Sequence, residues 1–270
     1  EDPAHGARVR VFDAELAPLR EFGGPGGGDG KLCDPRGLAL APDGALVVAD
    51  TQNDRISVFA PSGRWLASFG QRGTGPSEFV APMGVAADAR NVVVADTRNH
   101  RIQVFARDGR WERAFGTLGS APVPSVFDPH AEPPPLELDF PVDVALDARG
   151  RIFVADQANS RIVRTSATGS PELAWGVFGS LPGQLASPGA VRVSGERVYV
   201  CDTANHRVLV FDLDGKPLYD WGVHALLPHE GAGKLHYPSG IAVAPDGARA
   251  LVLEDFEQRA QLFGPAGERD

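Results

Sequence analysis

Apolar residues along the chain come in short runs of about four to six, separated by clusters of Gly, Pro, Asp, Asn and Ser at nearly fixed offsets. Runs of that length, bounded in that way, predict β-strands joined by tight turns. From Pro35 onward, Gly37 to Ala41 reads as a first strand and Ala45 to Ala49 as a second, with Pro42-Asp43-Gly44 turning between them. Arg55 to Phe59 is a third strand, Ser62-Gly63 the next turn, and Trp65 to Phe69 a fourth that ends at Gly70. The chain then begins again. Pro82, Pro141, Pro188 and Pro238 open segments of the same pattern, at intervals of roughly 47 to 59 residues, which is the spacing of a repeat architecture.

The fourth strands close alike, as Phe22-Gly23, Phe69-Gly70, Phe115-Gly116, Trp175-Gly176 and Trp221-Gly222. A ring in that place is expected to fill the outer gap between neighbouring wedge-shaped sheets, burying about 150–250 Å², and the glycine to let the chain turn toward the next sheet. A single four-stranded sheet of this size cannot cover both of its faces. Packing such sheets face to face around an axis does so, and the fold class expected is all-β, a propeller of four-stranded antiparallel blades.

A second pattern runs through the copies: Asp50/Asn53/Arg55, Asp96/Asn99/Arg101, Asp156/Asn159/Arg161 and Asp202/Asn205/Arg207, with Asn-His-Arg itself at 99–101 and 205–207. Ala/Cys-Asp-x-x-Asn-x-Arg at this spacing resembles the NHL repeat, and the likeness runs through nearly the whole chain. The resemblance implies a propeller, usually six-bladed, and implies little about activity. The last copy departs from it, with Glu254, Glu257 and Arg259 in the three places. Arg8 to Phe12 and Leu19 to Phe22 match third and fourth strands, and the C-terminus falls just after a third strand. Six blades are therefore expected, one irregular or incomplete, with five blades plus a spare strand as the alternative. Residues 1–270 read as one domain.

Gly at 32 and Pro at 23 suit short strands and tight turns better than long helices. No apolar run approaches the roughly 20 residues that cross a bilayer as a helix. The net charge of −9 opposes binding to a phosphate backbone, so the RNA binding of some animal NHL proteins, which calls for a basic face, is not expected. Cys33 and Cys201 occupy different repeat positions and read as free thiols. Residue 1 is Glu, which a removed signal peptide would explain; a periplasmic or extracellular location is the expectation and a cytoplasmic one the alternative.

A charged residue present in every repeat is most economically assigned to the repeat itself. The Asp carboxylates at the ends of second strands are expected to accept turn N–H groups, and the Arg side chains to pair with them. His100 and His206 belong to the same turns. His224, His229 and His236 lie in a loop at a spacing that fits no compact zinc motif. His130 falls in the proline-rich Ser120–Leu138 insertion, a candidate partner-contact loop. The copy at Pro141 is similar to a repeat of the peptide-amidating lyase propellers, a family with zinc-binding histidines near its axis. Here the residues after the repeat prolines are Arg36, Met83, Val142, Gly189 and Ser239, so no such ring of histidines is offered. Lactonase-type propellers hold a metal with acidic and amide side chains, for which Asp143 and Glu254 are too few. No catalytic residue and no cofactor is assigned, a divalent metal in the central channel being the alternative. The function expected is that of a non-catalytic scaffold, sensor or accessory subunit that binds proteins through its loops, with a channel lyase or lactonase as the competing reading.

Overall fold

The computed structural model describes residues 7–13, 17–121, 136–224, 231 and 233–264. These fall into two compact units, Glu1–Phe115 and Gly116–Asp270. The first holds a hairpin, β1 (Arg8–Phe12) with β2 (Pro18–Gly23), and two antiparallel four-stranded blades. Blade one is Pro35–Leu40, Leu46–Asp50, Arg55–Phe59 and Trp65–Phe69; blade two is Val85–Ala87, Asn91–Asp96, Arg101–Ala106 and Trp111–Phe115. The second unit holds blade three (Pro141–Leu146, Ile152–Asp156, Arg161–Thr165, Pro171–Trp175) and blade four (Pro188–Ser194, Arg197–Asp202, Arg207–Asp212, Pro217–Trp221). Its last sheet, blade five, has three strands, Pro238–Val243, Ala250–Glu254 and Arg259–Phe263.

The described residues thus form five propeller blades, the alternative rather than the six that were expected. The reason lies at the two ends of the repeat frame. The hairpin has the sequence of third and fourth strands but is hydrogen-bonded as a two-stranded sheet of its own, and no fourth strand joins blade five among the described residues.

Burial follows the strand order. Second strands of blades one to four are closed off on both faces, as in Ile152–Asp156, which explains why they read as continuous apolar runs rather than alternating ones. Fourth strands are half open, so Trp65–Phe69 mixes buried and exposed positions. Within each unit, rings at the ends of fourth strands meet rings on the third strand of the next blade: Phe69 and Phe105 lie 4.8 Å apart, Trp175 and Phe211 5.9 Å, and Trp221 and Phe263 6.1 Å between centroids. Phe22 of the hairpin meets Phe59 in the same way at 5.0 Å. The next blade's turn glycine closes over several of these rings, as Gly109 does over Phe69.

Linkers between blades start with a two-residue parallel ladder, for example Gln71–Arg72 against Glu78–Phe79. The last residue of that ladder, or its equivalent, is a fully buried plug: Leu32, Phe79, Leu138, Leu185 or Leu235. The glycine that ends a fourth strand has two reasons to be glycine. Gly70 sits at φ +93°, and a Cβ on it would stand 2.3 Å from the Phe79 ring. Gly70→Ala is expected to cost about 2–4 kcal/mol in a urea unfolding experiment. Gly195→Ala, at φ +55° with open space around it, is expected to cost only about 1 kcal/mol.

Candidate functional site

The five carboxylates that end the second strands are buried, with Asp50, Asp96, Asp156 and Asp202 at 0% exposure and Glu254 at 1%. A buried charge survives only with donors around it, and the fold supplies three kinds. A linker N–H comes first, from Cys33, Val80, Asp139, Ala186 or His236, at 2.6–2.9 Å. The Asn side chain comes second: Asn53, Asn99, Asn159 and Asn205 each donate to the acid and also to a linker carbonyl, that of Gly26, Gly73, Gly119 or Gly179. The Arg Nε is third, at 2.7–2.8 Å in Arg55, Arg101, Arg161, Arg207 and Arg259.

The remaining guanidinium N–H groups reach linker carbonyls, so that Arg101 donates to the oxygens of Thr74, Gly75 and Glu78. Burial pushes the Asp156 carboxyl up, against the pull of Asn159, the Asp139 N–H and Arg161. Two buried glutamines extend the network. Gln103 donates to Asp96 and to the Glu78 carbonyl, and Gln261 donates to Glu254 and to the Lys234 carbonyl. Sequence reasoning missed them; the shared signal is a polar residue two places after Arg on a strand that is otherwise apolar.

The turn after each second strand holds one residue in the left-handed region, Asp54, His100, Ser160, His206 or Gln258. Two of these reach the following linker. Asp54 accepts the Ala81 N–H at 2.8 Å, and His206 accepts the Tyr237 N–H on Nδ1 at 3.2 Å.

Asp143 lies within the second unit, 5% exposed, where it accepts the Val191 N–H and pairs with Arg192. Burial pushes its carboxyl up while the Arg192 charge and backbone N–H groups pull it down. Burial also raises the thiol of Cys201. Neither cysteine is in a disulfide. His236 lies in the linker before blade five, where its Nδ1 meets the buried Glu257 at 2.6 Å. Its ring lies 4.7 Å from Tyr237 and 4.9 Å from Phe256. His224 contributes its backbone to a parallel ladder opposite Leu235. His130 and His229 lie outside the described residues, as does most of the Ser120–Leu138 insertion. Among the described residues no group of three or more His, Cys, Asp and Glu is placed to hold a metal ion.

Val177, Phe178 and Leu181 stand out from the linker before blade four, Phe178 at 80% exposure. That linker rests on the blade-four turn through Asn205 and Arg207, and the same turn carries His206 against Tyr237 at 4.4 Å. Tyr237 and Phe256 lie 6.0 Å apart, at 43% and 67% exposure.

The NHL repeat model matches residues 32–59, 79–105, 138–164 and 185–211, the four segments that carry the Asp-Asn-Arg network. The chain carries four NHL repeats. Its curated relatives include the E3 ubiquitin-protein ligase TRIM71 of Rattus norvegicus, 48% identical over 46 residues, which are 17% of this chain and 5% of that protein. Protein brain tumor of Drosophila melanogaster is 36% identical over 66 residues, 24% of this chain and 6% of its own length. This NHL chain therefore spans a small part of the relatives it matches. Among solved structures, a virginiamycin B lyase from Staphylococcus aureus superposes with a TM-score of 0.61 at 13% identity, over 97% of this chain and 76% of that one. A protein of unknown function from Bacteroides caccae gives 0.64 at 11% identity, over 99% and 89%. At such identities the likeness concerns the fold.

Two outcomes check this network. Asp96→Ala strips the acceptor from Arg101, Asn99, Gln103 and the Val80 N–H and is expected to cost about 3–5 kcal/mol in urea unfolding. Asp143 tests the pH dependence. Its folded carboxyl titrates above the unfolded value of 3.8, so this group's stabilising contribution is full below that value and is lost as pH rises through the folded one. Asp143→Asn is expected to flatten that fall in urea midpoints measured between about pH 4 and pH 7.

Proposed function

We propose that this NHL propeller is a non-catalytic protein-binding module, acting as a scaffold, sensor head or accessory subunit of a larger assembly. One observation carries the reading: large apolar side chains stand exposed on two linkers and a turn of blades four and five, Val177, Phe178 and Leu181 on one linker, Tyr237 on the next and Phe256 on a turn. Exposed aromatic and aliphatic side chains on rigid scaffolds favour protein contact, because their burial releases water at little cost in side-chain entropy. The carboxylates of the repeats are engaged by main-chain and side-chain donors of the fold itself, which supports a structural rather than a catalytic role for them. The acidic balance of the chain favours partners with basic or neutral surfaces.

The test is affinity capture from the native source with the wild type and with a Phe178→Ser, Phe256→Ser double variant. A partner is expected at defined stoichiometry with the wild type and to fall at least about 10-fold with the variant, whose thermal unfolding stays unchanged. Capture indifferent to the double substitution, or a stoichiometric metal that survives dialysis and supports turnover, overturns the reading.

A further inference from the structure

The N-terminal hairpin repeats the outer half of a blade in register. Val9 pairs with Phe22 as Ile56 does with Phe69, and the irregularity before Phe12 recurs before Phe59. Arg8, the residue before Val9, therefore stands where Arg55, Arg101, Arg161, Arg207 and Arg259 stand in the five blades. In each of those, Nε donates to the acid that ends the second strand, at 2.7–2.8 Å. In Arg8 the same Nε is enclosed and has no hydrogen-bond partner among the described residues.

Glu21 does not fill that role. It holds the Nη1 of Arg8 at 2.7 Å from the fourth-strand position, the place from which Asp220 holds Nη1 of Arg207 at 3.1 Å. Arg207 keeps its Nε on Asp202 at the same time. Among the described residues no acceptor meets the Arg8 Nε, and five repeats state the chemistry expected there: a carboxylate at the end of a strand antiparallel to the third. Among the described residues β1 pairs with β2 alone, so that its other edge carries no strand. Unpaired backbone groups along an edge are a template for another strand. Phe12 and Leu19 lie exposed on the same hairpin.

We propose that β1 is a docking edge for a β-hairpin of a partner polypeptide, whose second strand adds antiparallel to β1 and ends in an aspartate that accepts the Arg8 Nε–H. Main-chain pairing supplies the affinity of strand addition, and the buried carboxylate sets its register. Two strands are needed because each complete blade places two inside the third.

The probe is a labelled synthetic peptide with the sequence of residues 35–53 of this chain, which contains first and second strands, Asp50 and Asn53. Fluorescence anisotropy with the full chain is expected to show saturable binding, and hydrogen exchange to slow at β1 amides that point away from β2. Asp50→Asn in the peptide and Arg8→Lys in the protein are each expected to weaken binding on the order of 10-fold. Arg20→Lys, whose guanidinium donates instead to the Pro61 carbonyl, leaves it unchanged. Absence of saturable binding, binding indifferent to both Asp50→Asn and Arg8→Lys, or self-association through β1 that the peptide does not displace overturns the proposal. Should Arg8→Lys unfold the chain, the Asp50→Asn peptide decides alone.

Discussion

A carboxylate shut away from water must be met by donors, and in this chain that requirement is imposed five times at the same place. The end of a second strand is where a blade, the linker leading into it and the following turn converge. Because the acid takes one N–H from the linker, one amide from the turn and one guanidinium from the third strand, three separate pieces of chain are fixed by a single group. The desolvation of such an acid is costly, so half a network is worse than none. That asymmetry accounts for the sequence regularity better than any reactive role: each member needs the others, so they recur together. Glu254 in blade five keeps the scheme with a longer arm, bonding both Arg259 and Gln261.

The outer packing follows a second rule that depends on the first. Once linker and turn are held, fourth-strand rings meet third-strand rings at 4.8–6.1 Å, and a plug residue fills the space beneath the closing glycine. Edge-tilted contacts of this kind add to the area that the rings bury.

Strand order, turns and ring positions could be read from the sequence because each depends on residues close together in one repeat. The pairing of Arg55 with Asp50 was legible for the same reason, since five residues separate them across one turn. Contacts that cross from one repeat to the next were not. Asp143 reads as a free carboxylate until Arg192, 49 residues on, is seen beside it. His206 reads as part of a turn, and nothing nearby announces the Tyr237 N–H that its ring accepts. Gln103 and Gln261 look like surface residues on a strand whose exposed side is in fact covered by a linker. The blade count failed for a related reason: the hairpin has the sequence of a half-blade, and hydrogen bonding, not pattern, decides what a half-blade joins.

The guanidinium groups grip the linkers by carbonyl oxygens, which every amino acid possesses. Outward-facing linker side chains are thereby left out of the clasp and can drift without loosening it, while the buried plug residues cannot. A lineage can rewrite the outward-facing letters of Val177, Phe178 and Leu181 from one host to another while the backbone path beneath stays as it was. Inheritance of the frame and invention at its margin are in this way assigned to different atoms of the same residues.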